Sequence, residues 1–444
     1  MKNFIQINKK INNFRNKEIF VTGDKSLSIR FVILSSLAKG KSIARNLLAS
    51  EDVINAIKCI KKLGIKINLK KNYCEVFGKG LWGYKYKDNL LLDAGNSGTA
   101  ARLLCAAIID SKNKIKITGD NSLKKRDMLR IINPLQEIGL RFEKNNGRLP
   151  LTVNGSKNLT SIKYLENLGS AQCKSAVMIA ALKVPGVTNL KCLPSRNHTE
   201  LLFKNVLKLP IITKKEKGYD IIQINGLNNF KSFKYKIPGD ISSASFFIVL
   251  TLLSKNSYLI IKETNINPTR VGIINILNKM GANIFFKNKK VYNGEEIADI
   301  HVSSITNLKS INLNPKLNSS AIDEFLLIFL VAAVCKGKSK FSGLEELNKK
   351  ESKRLDWGYK ILKMMGVRVK KIDNSELIIW GNPKLELKNN FVIKNFLKDH
   401  RIFMLTVIAA LTLGGNWKIY NPESVKTSFP TFLKIIKNLG GKIS

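Results

Sequence analysis

Histidine is nearly absent: there are three in 444 residues, with no His-x-x-x-His spacing, and the six cysteines show no Cys-x-x-Cys pair. A zinc site therefore has little support. The cysteines, at 59, 74, 105, 173, 192 and 335, sit mostly in apolar runs, which suits reduced core thiols of a cytoplasmic protein. Long apolar runs are missing too. The two longest, residues 325–334 and 402–413, are too short to span a bilayer and read as buried helices. The first ten residues hold no continuous apolar stretch, so neither a secretory signal nor a transit peptide is expected. Acidic residues are outnumbered, 32 Asp and Glu against 75 Lys and Arg, for a net charge of +43. Such a surplus ordinarily points to nucleic acid or a membrane surface. Here it is spread along the whole chain beside abundant Asn and Ile, which favours compositional drift over a polyanionic partner.

What is present is length and repetition. A chain of this size, 44% hydrophobic, is too long for one ordinary core and can bury two, so two domains are expected. One unit recurs: an apolar helix, a short polar turn, a strand, a loop, an amphipathic helix, then a break and another strand. The break is the clearest marker. It falls at Gly64, Gly139, Gly281, Gly366 and Gly440, and more loosely at Pro210, roughly every seventy to eighty-five residues. Glycine there supplies the left-handed helix cap, and the alternating apolar residues that follow suit a strand. Six βαβ-type units divide naturally as three and three.

The first helix of each unit starts from its own polar stretch. The one most rich in donors is Gly23-Asp-Lys-Ser-Leu-Ser-Ile-Arg30, which places Lys25, Ser26, Ser28 and Arg30 at a helix start. Free backbone N–H groups and the positive end of the helix dipole already favour an anion there. The other starts are Gly95-Asn-Ser-Gly-Thr-Ala-Ala-Arg102, Gly169-Ser-Ala-Gln-Cys-Lys174, Pro238-Gly-Asp-Ile-Ser-Ser-Ala244, Ser319-Ser-Ala-Ile-Asp-Glu324 and Lys398-Asp-His-Arg401. Because the following runs are apolar on nearly every side, these helices are expected to be buried, showing little besides their N-terminal ends. Three such ends per domain, on two domains facing each other, would ring a cleft with helix dipoles.

These motifs, together with Ser195-Arg-Asn-His-Thr-Glu200 and Lys350-Glu-Ser-Lys-Arg-Leu355, resemble in order those of the 5-enolpyruvylshikimate-3-phosphate synthase family, from Lys25 to Pro430. The resemblance implies a two-domain inside-out α/β barrel of six βαβ-type repeats, three per domain. It places residues 22–237 in one domain and residues 1–21 with 238–444 in the other, with the active site in the cleft between them. It implies transfer of the enolpyruvyl group of phosphoenolpyruvate to the 5-hydroxyl of shikimate 3-phosphate, without a metal or cofactor, in a cytoplasmic monomer with no nucleic-acid or membrane partner.

By the same resemblance, Lys25, Asp323 and Glu351 are the catalytic residues. Lys25, Ser26, Arg30, Ser170, Gln172, Ser195, Arg196, Asp323 and Lys350 would hold shikimate 3-phosphate. Lys25, Asn96, Gly98, Arg126, Gln172, Arg354 and Arg401 would hold phosphoenolpyruvate. Four anionic groups in one site explain the many Lys and Arg beside helix starts, since guanidinium groups pair with such anions and orient them. His198 and His400, beside arginines in polar loops, read as supporting or capping residues, and Asp240 reads as a helix cap. The chain departs from the family pattern at Asn348, Lys353 and Asp127, and Lys426 lies one position from the usual ligand lysine. Two alternatives remain open at this point. One is the sibling transferase that acts on UDP-N-acetylglucosamine, although no cysteine lies in a suitable polar loop. The other is a basic nucleic-acid-binding protein on an inactive scaffold.

Overall fold

Six helices made almost wholly of core residues set the architecture. A computed structural model of the chain describes residues 3–143 and 146–444. The helices are Lys25–Leu37, Gly98–Ala107, Ala171–Ala181, Ile241–Leu253, Phe325–Ala333 and His400–Leu413, each buried along nearly its full length. A helix buried all round must be covered on all sides, and the cover here is sheet and amphipathic helix. Among the described residues the strands form six separate, linear sheets of three or four strands, and they do not close into a barrel. The fold is inside-out in the sense that helices lie within each unit, while sheets with alternately buried and exposed residues lie outside them.

The chain divides into two compact units, each with its own core. The N-terminal unit is Gly23–Ile237 with Tyr292–Glu295, and the C-terminal unit is Met1–Thr22, Pro238–Val291 and Glu296–Ser444. Thr22 thus falls with the C-terminal unit, and four residues of a later hairpin fall with the N-terminal one. In each unit three of the buried helices pack on one another.

The repeat is longer than βαβ. In the second repeat, strand Leu90–Asp93, helix Gly98–Ala107 and strand Lys114–Thr118 make a parallel pair with a helical crossover. Helix Leu129–Ile138 follows, then strands Arg141–Phe142 and Leu151–Asn154 add antiparallel. Where the chain passes from one unit to the other, the first strands are exchanged. Lys17–Phe20 precedes the first buried helix yet pairs with Tyr258–Asn265, and Lys234–Lys236 precedes the fourth yet pairs with Lys39–Arg45. Strand Phe4–Ile7 completes the last repeat against Gly414–Tyr420.

The glycine breaks take left-handed backbone at Gly64, Gly139, Gly281, Gly366 and Gly440. In the third repeat that conformation lies at Lys208, φ 54°, rather than at Pro210, after a one-turn helix that runs into a π-helical turn, Leu202–Val206. The fifth repeat also differs from expectation. Its helix is broken: Asn318–Ala321 is followed by a turn over residues 322–324 before Phe325–Ala333, so Asp323 sits in the break.

Candidate active site

In the N-terminal unit, side-chain caps fix the three helix starts. Asp24 accepts from Leu27 N–H, Ser97 from Ala100 N–H and Ser170 from Cys173 N–H. Two of the three caps are neutral, which leaves those dipole ends available to an anion. Lys25 Nζ lies 2.9 Å from Asp52 Oδ2, which comes from the start of helix Glu51–Lys62. Arg30 is buried, one turn below Ser26. Its Nε donates to Thr199 Oγ1 at 2.8 Å, Nη2 to Ser175 Oγ at 2.7 Å and Nη1 to the Ser26 carbonyl at 3.2 Å. The guanidinium thereby links the first helix to the third and to the 195–200 stretch.

Gln172 is held from both ends: Arg102 Nη1 donates to its Oε1, and its Nε2 donates to Thr99 Oγ1 at 2.8 Å. Arg102 Nη2 also donates to the Asp127 carbonyl at 2.9 Å, next to Arg126. Arg126 Nη2 reaches Asn96 Oδ1 at 3.1 Å, and Asn96 Nδ2 donates to Asp120 Oδ2 at 2.7 Å. Gly98 opens its helix under these groups, and a Cβ there would stand 3.1 Å from Arg126 Nη1. The Ser195 hydroxyl is buried with no hydrogen-bond partner among the described residues, as a hydroxyl kept for a ligand would be. Arg196 beside it is half-buried.

In the C-terminal unit, Arg354 is the hub. It is the first residue of helix Arg354–Met364, and its side chain is 2% exposed. Nε donates to Asp399 Oδ2 at 2.9 Å, Nη1 to Asp323 Oδ1 at 3.3 Å and Nη2 to Glu351. Burial alone would lower its pKa. The three carboxylates of Asp399, Glu351 and Asp323 override that and raise it, so the charge is locked in. Lys350 Nζ lies 3.5 Å from Asp323 Oδ1. Arg401 Nη1 donates to the Asp323 carbonyl at 2.7 Å, and its Nη2 lies 3.9 Å from Asp323 Oδ2. Asp323, Glu351, Lys350, Arg354 and Arg401 are therefore one connected cluster.

The departures from the family pattern have local explanations. Asn348 Oδ1 accepts from Leu355 N–H at 3.0 Å and so caps the helix that carries Arg354. Lys353 is exposed, and Asp127 Oδ1 accepts from Leu129 N–H at 2.7 Å, capping the next helix. Lys426 is exposed in the short 3₁₀ helix Pro422–Thr427. His198 is fully buried against Glu295, Nδ1 to Oε1 at 2.6 Å, and His400 Nδ1 faces Thr427 Oγ1 at 3.2 Å. Both are framework contacts.

Sequence reasoning passed over four supporting residues: Asp52, Arg102, Lys174 and Asp399. Lys174, with no exposure, lies 2.6 Å from Glu200 and steadies the stretch holding Ser195. Arg102, Lys174 and Asp399 stood inside quoted motifs, so their positions were visible but their partners were not. Among the described residues no group of three or more His, Cys, Asp and Glu side chains is placed to hold a metal ion. Nor is any helix among them long and apolar enough to cross a membrane.

Comparison with known proteins agrees over nearly the whole length. A family model described as EPSP synthase (3-phosphoshikimate 1-carboxyvinyltransferase) matches residues 10–436. A 3-phosphoshikimate 1-carboxyvinyltransferase of Thermoanaerobacter sp. (strain X514) is 40% identical over 433 residues, 97% of this chain and 98% of that protein. One of Caldicellulosiruptor saccharolyticus is 37% identical over 430 residues, 96% of this chain and 97% of its own. The solved EPSP synthase of Acinetobacter baumannii superposes with a TM-score of 0.86 at 32% identity, covering 99% of both chains. The enolpyruvyl transferase NikO of Streptomyces tendae shares the fold at 13% identity, with a TM-score of 0.78 over 99% of this chain and 98% of its own.

Proposed function

The chain belongs to the EPSP synthase family and transfers the enolpyruvyl group of phosphoenolpyruvate to the 5-hydroxyl of shikimate 3-phosphate, and on that premise we propose which of its residues do the work. The observation that carries the assignment is the convergence of Asp323 and Glu351, from separate stretches of chain, on the buried Arg354. Lys25, Ser26, Arg30, Ser170, Gln172, Ser195, Arg196, Asp323 and Lys350 bind shikimate 3-phosphate. Lys25, Asn96, Gly98, Arg126, Gln172, Arg354 and Arg401 bind phosphoenolpyruvate. The protein works as a cytoplasmic monomer.

The chemistry is addition followed by elimination. A base takes the proton of the 5-hydroxyl while an acid protonates the methylene carbon of phosphoenolpyruvate, and the oxygen bonds to the central carbon. That added carbon proton, or an equivalent one, is then removed as the C–O bond to phosphate breaks, restoring the double bond and releasing inorganic phosphate. Asp323 and Glu351 supply the acid and the base, with Lys25 sharing the proton traffic. The arginines neutralise the phosphate and carboxylate groups and fix their orientation. Phosphate release with phosphoenolpyruvate and each acceptor in turn tests the reading. Release with shikimate 3-phosphate and none with UDP-N-acetylglucosamine is expected, and the reverse would overturn it.

A further inference from the structure

Each buried helix of the C-terminal unit is preceded by an acid, and each acid meets an arginine. Asp240 precedes Ile241–Leu253 and lies 3.3 Å from Arg270 Nη2. Asp399 precedes His400–Leu413 and lies 2.9 Å from Arg354 Nε. Glu324 precedes Phe325–Ala333 and lies 3.3 Å from Arg401 Nη1. Unlike Asp240 and Asp399, Glu324 makes no side-chain cap to its own helix. Its carboxylate is turned to other work.

Glu324 is 1% exposed, and a buried carboxylate is costly unless paired. Only Oε1 is engaged by hydrogen bonds: it accepts from the Ser242 hydroxyl and from Arg401 Nη1. Oε2 is buried without a hydrogen-bond partner among the described residues. Ser242 Oγ in turn accepts from Arg270 Nη2 at 2.9 Å, so the oxygen that meets Arg401 is itself anchored to the helix framework. Arg401 Nη1 therefore has two fixed acceptors, Glu324 Oε1 and the Asp323 carbonyl. Two acceptors on one terminal nitrogen fix both the position and the rotation of a planar guanidinium.

We propose that Glu324 is a positioning residue for Arg401, holding Nη1 to the framework so that the guanidinium meets phosphoenolpyruvate in one orientation. The proposal rests on the reading of Arg401 as a phosphoenolpyruvate ligand. Without Glu324 the arginine keeps its charge and loses its aim, so binding of phosphoenolpyruvate suffers and that of shikimate 3-phosphate does not.

The test is Glu324→Leu, which removes the oxygen that Ser242 and Arg401 share, with Glu324→Gln, which keeps one such oxygen, as the variant expected to restore most of the loss. We expect KM for phosphoenolpyruvate to rise about tenfold while the dissociation constant of shikimate 3-phosphate stays within about twofold. Ser242→Ala, which removes the anchor, should shift the same KM in the same direction by less. In an Arg401→Lys background, Glu324→Leu should add less than about twofold, because the two residues act as one unit. A lowered urea midpoint with unchanged KM, or a full additional effect on top of Arg401→Lys, would overturn the positioning role. If Arg401→Lys by itself left KM for phosphoenolpyruvate unchanged, the fault would lie with the reading of Arg401.

Discussion

Gly98 shows how little room the residue scale allows. A Cβ at this position would stand 3.1 Å from Arg126 Nη1, closer than side chains ordinarily tolerate, and 3.4 Å from Arg102 Nη1, at the edge of ordinary contact. Both are ends of long side chains, so Gly98→Ala moves guanidinium groups rather than backbone, and the enzyme should fold normally. KM for phosphoenolpyruvate should rise several-fold with stability unchanged. Steady-state kinetics beside a urea titration would check this, and an unaltered KM would remove Gly98 from the site. Asp323 and Glu351 pose the complementary case. Asp323→Asn and Glu351→Gln preserve shape around Arg354 but abolish the proton function, so each should lower turnover at least ~100-fold while shikimate 3-phosphate binding changes little. Near-normal turnover in either variant would rule out that residue.

At the scale of elements, the N-terminal ends of the three helices in the N-terminal unit carry several of the proposed substrate ligands, and their C-terminal ends share another device. Lys183, just past Ala171–Ala181, donates to the Ala107 carbonyl at 2.7 Å and to Asp110 Oδ1 at 2.5 Å, and it lies 5.1 Å from the ring centre of Tyr84. Tyr86 OH donates to Asp110 at 2.6 Å, and Tyr84 OH meets Ser36 Oγ near the end of the first helix. A cation at carbonyl ends of helices answers their dipoles. Burial nevertheless pushes the Lys183 amine pKa down, against the pull of Asp110. Lys183→Met leaves Asp110 half-satisfied and should cost about 3–5 kcal/mol, whereas Lys183→Met with Asp110→Asn should recover much of it. Urea unfolding of both variants decides the matter. Equal losses would mean that the lysine matters for packing alone.

Over the whole molecule, part of the +43 has a visible placement. Strands at sheet edges carry exposed basic residues: Lys66 and Lys70 on Lys66–Lys70, Lys214 and Lys215 on Ile211–Glu216, Lys287, Lys289 and Lys290 on Ile284–Tyr292, and Arg368 and Lys370 on Arg368–Ile372. An edge strand offers unpaired N–H and C=O groups to any passing strand, and like charges along it discourage that pairing. The same surplus should also draw in the substrates, both of them multiply charged anions. The ratio kcat/KM for phosphoenolpyruvate should therefore fall several-fold as KCl rises from about 0.02 M to about 0.2 M, through screening of the long-range field. A flat salt profile would mean that the surplus charge does not reach the substrates.

The amino-acid sequence by itself determined the six-fold repeat, the buried helices, their polar starts and the family. These are local or ordered signals: apolar runs, a glycine needing positive φ after a helix, and motifs contiguous along the chain. Gly366 and Gly440 could be placed from sequence because their role is met within one turn. The tertiary structure alone decided the pairings. That Lys17–Phe20 pairs with Tyr258–Asn265, that Arg354 gathers Asp323 and Asp399, and that Glu324 turns from its own helix to Arg401 are contacts between distant positions. No periodicity encodes them. They are settled by the cost of burying a charge or an unpaired strand edge, which can be met only by whatever partner the packed chain brings within reach.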